Sequence, residues 1–409
     1  MLSQTHNRLI TETGRGTPMG RLMREYWIPV LRSAQVKPGA APQRITILGD
    51  HYVAFRLRSG EVGVMDEACP HRGASLAMAR NEERGLRCIY HGWKMAPSGE
   101  LLEAPTHPQD APLHDIKTRA HPVHEGQGII WAWLGQGVAP AFRKLAFTDL
   151  PDSHVIAATG IVNCSWLHPL ETLWDVFHAQ ILHNQTNRAS SRGKAYFSNA
   201  GRHTDSGIQF DYPEMRAHAT DYGFDYSNHD AAKTTNFSFI MPFIQHHTIS
   251  PEPRADKALQ ISVPIDDDHA LLWMIFYNRF APLKSDGFAM QGLGGVADLN
   301  NFLAELGERT PENRWGQDRE AMDRGESFAG FAGRGTLLSI FAEDTAVIES
   351  QGRADRSAEY LAPVDVALVK GRKTLVDAVQ AYERGEPPLG RDLDLSAVEA
   401  HFDARPAAA

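Results

Sequence analysis

The chain has 409 residues, 42% of them hydrophobic and 22% charged, with a formal net charge of −9 and a pI near 6.1. That length accommodates two domains with separate cores. The acidic balance, without a Lys/Arg run, excludes a nucleic-acid surface, and no apolar stretch reaches the ~18–20 residues of a membrane span. Three cysteines provide no disulfide framework, so a reducing, cytoplasmic compartment is expected.

In chain order, residues 1–17 are polar and read as a lead-in packing on the first domain, followed by a short helix over 19–26. β-Rich segments at 44–48, 52–57 and 62–65 are separated by Gly49-Asp50 and Ser59-Gly60 turns, and 128–134 adds a closing strand. These define a small all-β domain, with a boundary placed at 1–147. The remainder, 148–409, is mixed. Residues 163–183 are a helix candidate, with Trp166, Leu170, Trp174 and Phe177 at three- and four-residue steps. Residues 190–239 read as loop-rich with short strands. Segments 258–264 and 270–277 form a hairpin across Asp266-Asp267-Asp268. The Gly-rich stretch 287–335 reads as mobile, with a helix near 296–306, and helices return at 340–350 and 364–384. The fold class expected is α+β.

The first chemistry-bearing motif is Cys69-Pro70-His71 followed by Cys88-Ile89-Tyr90-His91. Two thiolates and two imidazoles suit either a zinc ribbon or a Rieske [2Fe–2S] centre, in which one iron takes both cysteines and the other both histidines. Each clip offers one sulfur and one nitrogen, which favours the two-iron cluster. Gly73 and Gly92 permit tight loop turns, and Tyr90 and Trp93 are expected to shield the cluster from water. Cys164 reads as a small buried residue.

The second motif is Glu171-Thr-Leu-Trp-Asp175-Val-Phe-His178-Ala-Gln-Ile-Leu-His183. Two histidines and a carboxylate form the facial triad of non-haem Fe(II) oxygenases. Five residues of ideal helix leave His178 and His183 about 140° apart, so a π-bulge or helix end is expected between them. Asp175, three residues before His178, is a natural acceptor for that ring's N–H. The residues alone leave the carboxylate ligand open among Glu343, Asp344, Glu349 and Asp355. No dinucleotide glycine fingerprint is present, so electrons come from another protein.

Together, residues 16–20, 26–30, 69–74, 90–94, Glu343-Asp344 and Asp355-Arg356 resemble the Rieske non-haem iron aromatic-ring oxygenases, in the phthalate 4,5-dioxygenase branch. The resemblance implies an N-terminal Rieske domain and a C-terminal helix-grip domain, with an antiparallel sheet around a long helix. It also implies a head-to-tail homotrimer. Carried onto this sequence, Cys69, His71, Cys88 and His91 hold one [2Fe–2S] cluster, and His178, His183 and Asp344 hold one mononuclear Fe(II). Asp175 then links His178 to His91 of the neighbouring subunit. Glu171 stands where relatives differ and receives no assigned role.

The implied activity is that of a terminal oxygenase component. It uses O2 and electrons from a separate NADH-dependent flavin/[2Fe–2S] reductase to dioxygenate an aromatic carboxylate. Phenoxybenzoate, split by angular attack, leads the expectation; a phthalate- or isophthalate-type acid and monooxygenase demethylation are alternatives. Arg188, Arg192, Arg202, Arg216 and Lys233 are candidate cations for the substrate carboxylate. Asn228, His229 and Lys233, where phthalate-type relatives carry arginines, argue against phthalate itself.

Overall fold

A computed structural model describes residues 2–108, 115–183, 202–204, 207–209, 214–229, 233–247, 254–284, 293, 296, 298–331 and 337–404. The chain divides into two compact units, one of residues 13–142 and the other of 1–12 with 143–409. No helix among the described residues is long and apolar enough to cross a membrane.

The 13–142 unit is built from three small antiparallel sheets. Trp27–Arg32, Val123–Gly126 and Ile129–Trp133 form one. Gln43–Ile47, Asp50–Arg56, Val62–Asp66 and Ala120–His121 form the second, and Arg80–Glu82, Gly85–Arg87, Lys94–Met95 and Leu101–Glu103 the third. Period-two alternation puts Val53, Phe55 and Met65 into a core shared with Leu76, Leu86 and Met95, and both Cys69 and Cys88 belong to it. The cysteines of the two clips are thus rooted in the packed interior while the loops project outward.

The other unit centres on an eight-stranded antiparallel sheet. Its order is Val155–Val162, Ala270–Tyr277, Lys257–Pro264, Ile244–His247, Lys233–Ile240, Gly223–His229 and Glu214–Ala219, with His401–Ala404 also paired to Lys233–Ile240. The expected hairpin is present, with Pro264 opposite Ala270. The helices of this unit include α1 (Gln4–Thr11), α3 (Leu167–Trp174), α4 (His178–Ile181), α5 (Leu337–Ser350) and α6 (Val366–Glu383), besides a short one at Arg319–Asp323, while α2 (Pro18–Arg24) belongs to the first unit. The 18-residue α6 lies against the strands Glu214–Ala219 and Gly223–His229 and against α3. Gly371 is required at the crossing, because a Cβ there would meet the Trp174 ring at 2.5 Å.

Several expectations are corrected. Of the lead-in, residues 1–12 group with the second unit, and only 13–17 belong to the β domain. Residues 4–11 form α1, capped by Ser3 and packed on α6, with Asn7 bonded to the carbonyl of Ala354 (3.2 Å) and the guanidinium of Arg356 (3.3 Å). The stretch 190–239 carries longer strands than expected. Their polar, half-exposed faces, as on Glu214–Ala219, hide the alternation. In place of a helix over 296–306 there is a 3-10 turn, Phe302–Leu306, whose Leu303 and Phe302 fill the space above Gly160. Parts of 287–335 lie outside the described residues. The rest is tied down, notably by Arg309, which makes a buried two-pronged ion pair with Glu349 on α5 (2.8 and 2.9 Å).

Glu171 proves structural. Its buried carboxylate accepts from Arg356 (2.7 and 2.8 Å) and from Arg372 of α6 (2.7 Å), and Arg372 also reaches Glu359. Burial opposes its ionisation, but the two guanidinium groups overcome it and lower its pKa. Glu171 on α3 thereby joins α6 and the segment after α5, and through Arg356 also α1. Glu171→Ala leaves the buried Arg356 without a carboxylate and Arg372 with Glu359 alone, and removing one partner of a buried ion pair typically costs about 3–5 kcal/mol. Chemical denaturation should show a large fall in the midpoint of the unit's transition; an unchanged midpoint would contradict this network.

Candidate metal centres

The two Cys/His clips fold as matching turns. In the first, Cys69 N–H donates to Ala74 O (2.9 Å) and Gly73 N–H to Cys69 O (2.9 Å); in the second, Cys88 N–H donates to Trp93 O (2.8 Å) and Gly92 N–H to Cys88 O (3.0 Å). Gly73 and Gly92 both take positive φ, 73° and 77°, the left-handed conformation that glycine adopts without strain. Cys69 and Cys88 are both free and only 3% exposed. Burial, and the Cys88 sulfur beside it, push the Cys69 thiol upward.

The ring of His71 stands 4.4 Å from that of His91, edge to face, and its Nδ1 is buried with no partner. A buried imidazole nitrogen left unpaired, beside two buried sulfurs and a second imidazole, fits the donor set of a two-iron cluster. Trp93 shields this corner as expected: it is buried, stacks on His71 at 4.5 Å and is anchored through its indole N–H to Thr106 (2.9 Å). Tyr90 is 56% exposed, with its ring 3.9 Å from that of His91, so it covers His91 from the solvent side.

The second centre depends on a helix break. Asp175 ends α3, its N–H bonding Glu171 O (3.0 Å) while its backbone turns extended (φ −92°, ψ 97°). Its Oδ1 then accepts the N–H groups of Phe177 (2.9 Å) and His178 (3.3 Å), capping α4. The expected helix over 163–183 is therefore two helices. A helix end does fall between the histidines, since α4 stops at Ile181, and a larger break precedes them. The acceptor for His178 Nδ1 is the main-chain carbonyl of Asp175; its carboxylate stands 3.8 Å away, already engaged as the cap.

On α5, Glu343 and Asp344 are consecutive, so their side chains diverge by about 100° and straddle the ring of His183. Glu343 Oε2 accepts from His183 Nδ1 at 2.6 Å, while Asp344 Oδ1 lies 3.0 Å from His183 Nε2 and 3.4 Å from His178 Nε2. The ligand atoms of His178, His183 and Asp344 all lie within 4.8 Å of one another, yet Asp344 Oδ1 is buried and accepts no hydrogen bond. The three groups aim at a common point rather than at each other. Each histidine has Nδ1 tied to an oxygen and Nε2 turned inward, the tautomer a metal requires.

The charge balance agrees. Burial would lower the pKa of His183, but Asp344 and Glu343 outweigh it and push the imidazole up to about 10; Asp344, itself penalised by burial, is held well below the usual carboxylate range by the two histidines. A pocket that draws in a proton so strongly accommodates a divalent cation in its place. The sequence missed Glu343 as the group orienting His183; the adjacent acidic pair in one helix was its only trace.

Of the candidate cations, Arg188 and Arg192 lie outside the described residues, as do the side chains of Arg202 and Lys233. Arg216 is exposed and paired with Glu214 (2.8 Å). Cys164 is buried, and burial raises its pKa, as befits an inert thiol.

Residues 26–121 match the Rieske [2Fe-2S] domain and residues 132–402 match the description "LigXa C-terminal domain like". The oxygenase subunit of 3-chlorobenzoate-3,4-dioxygenase of Comamonas testosteroni is 33% identical, over 94% of this chain and 91% of its own. That of phthalate 4,5-dioxygenase of Pseudomonas putida is 33% identical, over 95% and 89%. The alpha subunit of phenoxybenzoate dioxygenase of Ectopseudomonas oleovorans is 32% identical, over 43% and 46%. Among solved structures, the oxygenase in the reduced oxygenase–ferredoxin complex of carbazole 1,9a-dioxygenase shares the fold, with a TM-score of 0.57 at 18% identity, over 90% of this chain and 94% of that one. The chain belongs to the Rieske non-haem iron oxygenases, as a terminal oxygenase component of the aromatic-ring dioxygenase type.

Asp344→Ala should remove the mononuclear iron and leave the red-brown cluster colour, read by metal analysis and visible absorption. Glu343→Gln should weaken iron binding about 10–100-fold with the cluster intact, as loss of a partner behind a ligating histidine does. Unchanged iron affinity in the Gln variant would contradict the orienting role.

Proposed function

We propose that this oxygenase component dioxygenates a single-ring aromatic carboxylate, taking electrons one at a time from a separate NADH-dependent flavin/[2Fe–2S] reductase. The observation that carries this reading is the convergence of His178, His183 and Asp344 in a chain that also carries a Rieske domain. Cys69, His71, Cys88 and His91 would hold the cluster, and His178, His183 and Asp344 the Fe(II). When bound, the cluster supplies single electrons and the mononuclear iron activates O2 for attack on the ring. The chain's own residues set the timing and orientation. Asp175 fixes the His178 ring through its carbonyl, and Glu343 fixes His183.

The relatives that align along nearly the whole chain are named for 3-chlorobenzoate and phthalate, both single-ring acids, whereas the phenoxybenzoate relative aligns over less than half. This favours a single-ring acid over the diaryl ether. Phthalate, disfavoured by Asn228, His229 and Lys233, serves as the comparison substrate.

The head-to-tail homotrimer is part of the same proposal. Asp175 caps α4 with one oxygen, and its carboxylate, 36% exposed, has the other oxygen available to accept from the partner subunit's His91. Electrons would then pass from the partner's cluster through His91, Asp175 and His178.

Two experiments test this. In a single turnover of chemically reduced protein with 18O2 and 3-chlorobenzoate, cluster reoxidation should accompany a product carrying two labelled oxygens. One labelled oxygen would make the enzyme a monooxygenase, and a colourless protein would overturn the cofactor reading. Asp175→Asn, which preserves the helix cap, should retain both metals and lose turnover; normal turnover would exclude the proposed electron path.

A further inference from the structure

The second metal loop, Cys88 to Trp93, joins the strands Gly85–Arg87 and Lys94–Met95, in which Leu86 pairs with Met95 and Arg87 with Lys94. Leu86 and Met95 belong to the core, so Arg87 and Lys94 share the opposite face at the neck of the loop. Like charges directly opposite each other weaken a sheet. Two acids from the flanking strands offset this pair. Glu82 accepts from Arg87 Nε (3.0 and 3.1 Å) and lies 3.2 Å from Lys94 Nζ, while Glu103 accepts from one terminal nitrogen of Arg87 (2.6 Å). The Arg87 hydrogen bonds are the first cause that holds both carboxyls below their usual range, so the network stays ionised.

Charge balance does not account for the remaining bond. The other terminal nitrogen of Arg87 donates to Gly92 O (2.7 Å), the carbonyl of the residue directly after His91. Gly92 N–H is bonded to Cys88 O (3.0 Å), so Gly92 is held at both ends, by Cys88 and by the residue before it. Among the described residues no other side chain donates to a carbonyl between Cys88 and Trp93.

The first clip has less need of such a brace. It places only Pro70 between Cys69 and His71, and the proline ring fixes the backbone there. The second has Ile89 and Tyr90 in that place, both more than half exposed. A longer loop without proline takes its order from its base. A guanidinium suits the task, because its planar fork sends donors in separate directions to Glu82, Glu103 and Gly92, whereas the ammonium of Lys94 brings charge without that geometry.

We propose that Arg87 is a positioning residue for the cluster: by holding Gly92 it fixes the His91 ring against that of His71, 4.4 Å away, and so sets the geometry and reduction potential of the histidine-held iron. The step it governs is the uptake of one electron, with no bond made or broken. This rests on the reading that Cys69, His71, Cys88 and His91 hold the cluster.

The test uses full-length protein loaded with cluster and iron and reduced with dithionite, and it reads the EPR g-values of the reduced cluster and its midpoint potential. Arg87→Gln and Lys94→Gln remove the same charge from the same network, but only the first releases Gly92. Loss of a nearby cation disfavours an added electron, so both should lower the potential. Only Arg87→Gln should also move the g-values. Its reduced-to-oxidised ratio should fall about tenfold below that of Lys94→Gln, which is about 59 mV for one electron. Arg87→Lys, which keeps the charge and loses the fork, should still show altered g-values. Loss of the cluster from both Arg87 variants, with Lys94→Gln loaded normally, would be the same result in stronger form. Wild-type g-values in both Arg87 variants, or equal shifts in Arg87→Gln and Lys94→Gln, overturn the positioning role and leave the cluster reading intact. A wild type without a [2Fe–2S] signal overturns that reading, and this proposal with it.

Discussion

The ring of His183 is gripped from both sides by consecutive acidic residues, and the catalytic unit is organised around that grip. Glu343 takes the proton on Nδ1, which leaves Nε2 to face Asp344, and a single turn of α5 supplies both groups. Two buried carboxylates beside two imidazoles are stable only if positive charge sits among them. A divalent cation held there would supply that charge, and the same acids would then stabilise the site.

The remainder of the unit keeps α3, α4 and α5 in the positions this requires. Asp175 ends one helix and caps the next, directing His178 and His183 toward α5. Glu171 clamps α3 to α6 through Arg372 and, through Arg356, to the segment after α5; Glu349, on α5 itself, is clamped by Arg309. The charges of these buried ion pairs are compensated locally, each acid by an arginine bonded to it.

The Cys/His clips were legible in the sequence because metal chemistry demands residue types at short spacing and each loop is closed locally by its own glycine turn. The helix break at Asp175 was harder to read, since apolar periodicity continues across it through Trp174 and Phe177 and only the capping by Asp175 interrupts it. The Asp344 choice could not be made from spacing because Glu343 and Asp344 are chemically equivalent in one dimension; only the helix rotation that separates them puts Asp344 beside both Nε2 atoms and Glu343 against His183 Nδ1. Glu171 and α1 depended on partners more than 180 residues away, Arg356 and Arg372. No local pattern encodes such pairings.

The most direct measurement is anomalous diffraction at the iron edge on crystals of the full-length, metal-loaded protein. The account predicts two adjacent iron peaks among Cys69, His71, Cys88 and His91 and a separate peak bounded by His178, His183 and Asp344, with Glu343 behind His183. A zinc signal at the paired clips, or no metal between the two histidines and Asp344, would contradict it.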